Sequence, residues 1–202
     1  LAEVKRLRAA RPDKPYQALF GVLQGANYED LRKQTAAFLG AMDFDGYGIG
    51  GALEKETMAQ TIQWVNQILP ENKPRHLLGI SEPDDIFAAI EQGIDTFDCV
   101  SPTRVARNGA AYTPFGRANI RGRKYREMFE PIMEDCDCYT CRHYTAAYLC
   151  HLLHARESLA GTLLSIHNER FIVKLVDDIR ASLEDGTFYE FREEFLATYY
   201  RH

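Results

Sequence analysis

The sequence predicts an α/β protein whose front half is a run of parallel-strand βα units and whose back half is a metal-bearing helical region. Three observations carry that expectation. Apolar, β-prone runs alternate with amphipathic helical stretches through roughly the first half; a Pro-, Gly- and Arg-rich stretch then breaks the rhythm; and three cysteines fall within six residues, Cys136-Asp137-Cys138-Tyr139-Thr140-Cys141, ahead of three helical segments. With 202 residues, 46% of them apolar, the chain can bury a sizeable core as one domain, or one and a part.

Taken in order, the candidate strands are Gln17 to Leu23, Gly46 to Gly50, Arg75 to Ile80 and Ile94 to Val100, each a short apolar run bounded by Gly, Pro, Asn or Asp. Between them, Tyr28 to Ala41, Glu56 to Ile68 and Pro83 to Glu91 carry apolar residues at helical spacing, the last opened by a proline at its first turn. The strands recur at roughly 20 to 30 residues, the length of a βα unit. Four such units make half of a (β/α)8 barrel or a small doubly wound sheet, and the spacing leaves open whether the sheet closes. Residues 1–100 hold these units. Residues 101–202 hold the arginine-rich stretch, a hairpin around Thr113-Pro114-Phe115-Gly116, the cysteine cluster, and helices over Tyr144 to Arg156, Ala160 to Asp185 and Phe188 to Tyr200. The face from Leu159 to Leu175 suits packing on the preceding sheet.

Composition removes several function classes. No apolar run approaches the ~18 residues of a membrane span, and the charged stretch Leu1 to Lys14 has no signal-peptide core, so neither a bilayer nor secretion is indicated. A reducing cytoplasm is the expected compartment, and five cysteines, three of them clustered, suit metal ligation better than a disulfide framework. The net charge is −5, yet Arg104, Arg107, Arg117, Arg121, Arg123, Lys124 and Arg126 follow one another without an acidic residue, +7 against −12 for the remainder. Scattered surface arginines would explain such a stretch. The dominance of arginine over lysine favours phosphate and base-edge contacts, because the guanidinium fork binds bidentately.

In parallel sheets the chemistry lies at the C-terminal strand ends. There the chain offers Gln24, Gly50-Gly51, Leu78-Gly79 and Asp98: a carboxamide, glycines with free backbone groups and a carboxylate, a set suited to a flat polar ligand such as a nucleobase. Asp98 also fits a simple strand-end cap, Gly50-Gly51 a tight turn and Gln24 a satisfied core amide. His76 and Trp64 read as packing residues. The cysteine cluster points to zinc, which prefers thiolate and imidazole in a tetrahedral set of four. His143, His151, His154, His167 and Cys150 all remain candidates for the fourth ligand. No open coordination position lies near a carboxylate, so the metal is expected to be structural.

Together, Phe97-Asp98-Cys99-Val100-Ser101-Pro102-Thr103-Arg104 with Arg107-Asn108-Gly109, the Cys136 to Cys141 cluster, and Ile166-His167-Asn168 resemble the queuine-type tRNA-guanine transglycosylases. The resemblance runs through nearly the whole chain. It includes Phe20-Gly21-Val22-Leu23-Gln24-Gly25, Phe44-Asp45-Gly46-Tyr47 with Gly50-Gly51, and Leu78-Gly79 before Pro83-Asp84-Asp85.

The resemblance implies a (β/α)8 TIM barrel, of which this chain would supply the C-terminal part, with a zinc-binding insertion and C-terminal helices. It implies a glycosyltransferase of queuosine biosynthesis that exchanges the wobble guanine of tRNA anticodons for a 7-deazaguanine. Asp98 matches the nucleophile of that double displacement, attacking the ribose C1′ to form a covalent intermediate. Gln24, Gly51 and Leu78 match base-contacting positions. Gly79, Ile80, Ser81, Glu82, Pro83, Asp84 and Asp85 match a segment lining the RNA, and Thr103, Arg104, Val105, Ala106 and Arg107 match the loop that reads the bases beside the flipped guanine. The zinc ligands carry over as Cys136, Cys138, Cys141 and His167, a clamp expected to hold Arg104 and Arg107 in place beside Asp98. A homodimer is implied as well.

Two departures qualify these expectations. The family's N-terminal half carries an acid/base aspartate and a base-binding aspartate that have no counterpart here, so residues 1–202 alone are expected to be a fragment, or to self-associate, and to be inactive in exchange. Gly51-Ala52-Leu53-Glu54 departs from the pattern of many bacterial members, which leaves preQ1, preQ0 and queuine open as incoming bases. Two other readings are a non-catalytic RNA-binding partner subunit and a relative acting on DNA.

Overall fold

The structure, a computed structural model, describes residues 1–51 and 54–201. The chain divides into two compact units, Leu1–Cys99 and Val100–His202.

The first unit is a four-stranded parallel sheet with helices. After α1 (Ala2–Ala9), β1 (Phe20–Leu23) is followed by α2 (Glu29–Gly40), β2 (Gly46–Ile49), a 3-10 turn (Lys55–Thr57) leading into α3 (Met58–Asn66), β3 (Arg75–Leu78), α4 (Pro83–Glu91) and β4 (Thr96–Asp98). The strand order is β1-β2-β3-β4, every pair parallel, with Leu23 opposite Ile49, Ile49 opposite Leu77 and Leu77 opposite Phe97. Strand order follows chain order. Among the described strands there is no reversal of the kind that defines a doubly wound sheet, so the progression is singly wound.

Side-chain alternation divides the sheet into two faces. Leu23, Tyr47, Ile49 and Leu77 are fully buried and share one cluster with Ala36 of α2, Met58, Ile62 and Val65 of α3, and Ala89 of α4. The other face carries Phe20, Val22, Leu78 and Asp98, all exposed by more than a third. On that face β2 presents only Gly46 and Gly48, and Gly50 follows just beyond it. A β-carbon at Gly46 would meet the Phe20 ring at 2.5 Å, and one at Gly50 would meet Leu78 Cδ1 at 3.0 Å, so the neighbouring side chains lean over bare backbone.

The strands are shorter than the periodicity predicts, for local reasons. Residues 17–19 stay outside β1 because the Asp45 carboxylate takes the Leu19 N–H at 2.7 Å. That carboxylate also accepts from Arg8 at 2.9 Å and from the Tyr16 hydroxyl, and these bonds, the Tyr16 one foremost, draw its pKa down to about 2. β3 ends at Leu78 because Gly79 turns to φ +81°, a conformation that glycine adopts without strain. In this turn the Gly79 N–H donates to Asp98 O at 2.8 Å, closing the end of β4.

The second unit contains α5 (Ser101–Arg107), the antiparallel hairpin β5 (Ala110–Thr113) and β6 (Gly116–Asn119), a 3-10 turn (Arg123–Tyr125), α6 (Tyr139–His143), α7 (Ala146–Ala155), α8 (Ser158–Asp185) and α9 (Phe188–Tyr199). Thr113 and Gly116 close the hairpin where Pro114-Phe115 predicts a turn. Two helices depart from expectation. Residues 101–107, which read as a basic loop, form α5, opened by Pro102 and packed on α8 through buried Pro102 and Ala106. α6 lies inside the cysteine cluster, capped by Cys138, whose Sγ accepts the Cys141 N–H at 3.3 Å. The long helix α8 meets α5, α6, α7, α9 and β5, so its buried face from Ala160 to Ile179 is filled within its own unit.

Ile62 is fully buried at the centre of the first unit, and Ile62→Ala should cost about 2–5 kcal/mol of stability. A lowered urea midpoint of the first transition, with an unchanged second transition, is the expected result.

Candidate functional site

Gln24, Gly51, Leu78 and Asp98 all lie in the first unit. A β-carbon on Gly51, at φ +92°, would stand 2.8 Å from Gln24 Oε1, and one on Gly50 would stand 3.2 Å from Gln24 Nε2 and 3.0 Å from Leu78 Cδ1. Gln24, Gly50, Gly51 and Leu78 therefore adjoin one another, the two side chains closing over buried Gly50 beside exposed Gly51. Ala52 and Leu53 lie outside the described residues, so the departure at Gly51-Ala52-Leu53-Glu54 has no structural description.

Beneath the glycine pair lies Arg32, which the sequence reading did not single out. Its side chain is fully buried, with Nη1 donating to Gly50 O at 2.7 Å and Nε donating to Ala26 O at 2.7 Å. Burial lowers its pKa, yet a guanidinium stays protonated in proteins, so a fixed positive charge underlies the Gly50 carbonyl. Nothing in the helical pattern of α2 distinguishes Arg32 from its exposed neighbours. Only the tertiary structure makes it an internal brace.

Asp98 ends β4 with its side chain 60% exposed, and its Oδ1 lies 2.9 Å from Nε2 of His76 on β3. The other ring nitrogen, Nδ1, is 2.8 Å from Thr96 Oγ1. His76 sits opposite Thr96 and Leu78 opposite Asp98, so all four side chains project from the same face of the sheet. The sequence reading assigned His76 to packing; the strand register that brings it to Asp98 has no local signature.

The segment Gly79–Asp85 leads from β3 into α4. Space is open around Gly79, Ser81 and Pro83 are buried, and Asp84 and Asp85 turn to Lys55, at 2.5 and 3.4 Å. Burial and the neighbouring Asp84 raise the Asp85 pKa. Carboxylates paired in this way are poor phosphate contacts, which leaves backbone and small side chains as the segment's means of touching a polyanion.

In the second unit, Thr103 to Arg107 occupy α5. Arg104 and Arg107, three residues apart, are exposed, and among the described residues neither guanidinium meets a hydrogen-bond or ion-pair partner. Val105 and Ala106 face inward. Arg121 is different: it donates to Leu153 O at 2.7 Å, and so serves the end of α7. The basic stretch thus divides into structural and unengaged cations.

Cys136, Cys138, Cys141 and His167 converge, their ligand atoms all within 4.8 Å of one another. His167 Nδ1 lies 3.6, 3.8 and 3.3 Å from the three sulfurs in turn. A tetrahedral zinc with Zn–S of ~2.3 Å and Zn–N of ~2.05 Å requires N···S separations of about 3.6 Å. The donor set therefore fits one zinc ion. His167 is fully buried, and its Nε2 lies 2.8 Å from Tyr112 O, a carbonyl that can only accept; Nε2 therefore carries a proton, and Nδ1, which faces the thiols, is the nitrogen that would bind zinc. The contact with Cys141 brings the Cys138 thiol down to about 3, and the same contact holds the Cys141 thiol far above its usual range. Burial draws the His167 pKa down, but Cys136 and Cys138 draw it up further, to about 9. Three protein thiols and one imidazole leave no coordination position for a substrate, so the site is structural. Of the other candidates, Cys150 is buried near Gly122 O and His154 meets Arg121 O; neither belongs to the cluster.

Second contacts lock the site. Thr140 Oγ1 donates to Leu163 O at 2.6 Å, and Arg170, one turn beyond His167, grips Asp137 at 2.6 and 2.9 Å. Asn168 is fully buried and uses its whole amide: Oδ1 accepts the Tyr112 N–H at 2.9 Å, and Nδ2 donates to Pro102 O at 3.0 Å and Ala110 O at 3.1 Å.

The first unit is a singly wound parallel sheet with a carboxylate at a strand end, and the second carries a Cys3His zinc clasp; together they define a zinc-bearing α/β protein. Residues 1–201 match the sequence model described as queuine tRNA-ribosyltransferase. A queuine tRNA-ribosyltransferase of Symbiobacterium thermophilum is 47% identical over 190 residues, 93% of this chain and 47% of that protein. One from Caldanaerobacter subterraneus is 45% identical over 199 residues, 97% of this chain and 53% of its own. One from Lactococcus lactis subsp. cremoris is 48% identical over 186 residues, 91% and 49%. The chain belongs to the queuine tRNA-ribosyltransferase family. It spans about half the length of the curated relatives it matches.

Two outcomes test the metal centre. The protein should contain one zinc per chain by elemental analysis, and chelation should lower the helical signal while directing limited proteolysis to the unit Val100–His202. Asn168→Ala should cost about 3 kcal/mol, because it strands one buried N–H and two carbonyls, without removing zinc.

Proposed function

We propose that this chain carries the nucleophile and RNA-binding half of a tRNA-guanine transglycosylase, which replaces the wobble guanine of tRNA anticodons with a 7-deazaguanine during queuosine biosynthesis. The single observation that carries this reading is Asp98: an exposed carboxylate at a C-terminal strand end, held by His76, on the same face as Leu78 and close in the chain to two unengaged arginines. Family membership supports the reaction class, and the chemistry follows from the groups present.

In the first displacement, an Asp98 oxygen attacks ribose C1′. The C1′–N9 bond breaks, and guanine leaves with the electron pair and takes up a proton. In the second, N9 of the 7-deazaguanine attacks C1′, loses its proton, and expels the Asp98 carboxylate. Two inversions retain the configuration, and each step is easier than one direct exchange. Asp98 is acceptor-only as the attacking carboxylate, so the proton moves through another group, the role the family gives to an aspartate of its N-terminal half.

Gln24, Gly51 and Leu78, which adjoin one another, receive the heteroaromatic base, with the Gln24 amide and the backbone at Gly51 offering edge contacts. Gly79–Asp85 lines the RNA path, and Thr103–Arg107 contacts the bases and phosphates beside the flipped nucleotide. Zinc holds α6 and α8 and so stiffens α5 without entering the chemistry. The strands fit the C-terminal part of a (β/α)8 barrel, the functional protein is a homodimer, and it works in the cytoplasm. Among the described residues no helix is long and apolar enough to cross a membrane.

Two measurements test the reading on a full-length protein carrying this sequence. Denaturing gels should show a covalent adduct with an anticodon stem-loop that vanishes in Asp98→Asn; an adduct that persists in Asp98→Asn overturns it. Arg104→Ala and Arg107→Ala should each flatten the dependence of log affinity on log salt by about 0.7, as expected for one lost phosphate contact to single-stranded nucleic acid.

A further inference from the structure

Asp98 has a partner that the double displacement does not itself call for. Its carboxylate is 60% exposed at a strand end, and among the described residues His76 is its hydrogen-bond partner, Nε2 to Oδ1 at 2.9 Å. An aspartate in that position otherwise rotates freely about two side-chain torsions, and the attacking oxygen spends only part of its time aimed at C1′. His76 itself is fixed. Its ring is only 26% exposed, and its Nδ1 meets Thr96 Oγ1 at 2.8 Å, on the strand that carries Asp98.

Hydrogen-bond bookkeeping sets the direction of the contact. An ionised carboxylate only accepts, so Nε2 must carry a proton. Nδ1 then either accepts the Thr96 hydroxyl hydrogen in the neutral ring or donates to Thr96 Oγ1 in the imidazolium. Both states give the same result at Asp98: Oδ1 is engaged and Oδ2 is left bare. In the first displacement the hydrogen bond to Oδ1 fixes which oxygen is free to attack. It also stabilises the carboxylate that departs in the second.

We propose that His76 is a positioning residue for the nucleophile: by holding Oδ1 while Thr96 holds the ring, it presents Oδ2 of Asp98 to the ribose and eases Asp98's departure in the second step. The inference rests on the reading of Asp98 as nucleophile. It assigns His76 no contact with substrate. The effect should therefore fall on turnover and not on RNA binding, because misplacing a reacting atom by about 1 Å costs on the order of 10²-fold in rate.

The test uses the full-length protein and an anticodon stem-loop as the RNA. His76→Ala should lower kcat for base exchange about 10²-fold with the RNA KM within about twofold, and His76→Gln, whose Nε2–H replaces the ring donor, should recover about tenfold of that loss. Thr96→Val, an exposed position where folding is not at risk, should give a smaller loss of kcat in the same direction. Unchanged kcat in His76→Ala, or a loss carried by KM alone, overturns the proposal. So does a Gln variant no better than Ala when both melt with the wild type. The two readings separate through Asp98→Asn. If that variant loses the covalent adduct while His76→Ala keeps wild-type kcat, only the positioning role fails; if Asp98→Asn keeps the adduct, both readings fail.

Discussion

The second unit depends on one residue pair. His167 and Asn168, adjacent on α8, grip the two sides of a single peptide residue on the hairpin: His167 Nε2–H donates to Tyr112 O, and Asn168 Oδ1 accepts from Tyr112 N. The zinc cluster and α5 both refer to that contact. Toward one side, the His167 ring is oriented by it, so Nδ1 is delivered to three thiols with its proton already on the far nitrogen. Toward the other, Asn168 reaches Pro102 O and Ala110 O, and thereby ties α5 to the hairpin. Neither side chain could do this exposed, since the strength of such bonds derives from exclusion of water and the absence of alternative partners. The zinc clasp and the arginine-bearing helix share one anchor.

The first unit rests on a different constraint, the two-residue repeat of its strands. One set of side chains, Leu23, Tyr47, Ile49 and Leu77, fills the helix-covered core. The alternate set carries Val22, His76, Leu78, Thr96 and Asp98, so the helix-covered core and the Asp98 carboxylate lie on opposite faces of the same four short strands. This allows the core to be optimised for burial without touching the carboxylate, and it sets Asp98 within reach of a side chain two strand positions away on β3.

Much of this was legible in the sequence. The four strands, helices α2 to α4, the hairpin and the three long C-terminal helices were all anticipated within a few residues, because each carries its own periodicity and boundary residues. The zinc cluster was legible for a similar reason, as three cysteines in six residues are a local signal. The fourth ligand was not: His143, His151, His154 and His167 look alike until α8 folds back over α6, and the family resemblance, not the spacing, singled out His167. Short helices were hidden as well. α5 reads as a basic loop because its stability comes from packing on α8 and not from a repeating apolar face, and α6 takes its cap from a thiol. Arg32 was passed over, and His76 was read as a packing residue. Their roles arise from strand register and from burial beneath a glycine turn, neither of which is written in neighbouring residues.

Gly46 and Gly48 of β2, with Gly50 just beyond it, leave one face of the strand without side chains, at a cost that reaches beyond that face. Each lacks the side chain that would otherwise help define its own strand, and each gives up more backbone freedom on folding than any other residue, roughly 0.5–1 kcal/mol relative to alanine. β2, an interior strand of the sheet, is therefore held by its neighbours: β1 and β3 through the ladders, and Tyr47 and Ile49 through the core behind it. A strand face without side chains thus takes its position from the flanking βα units, so a packing change in α2 or α3, whose residues share the core with Tyr47 and Ile49, should be felt on the glycine face opposite.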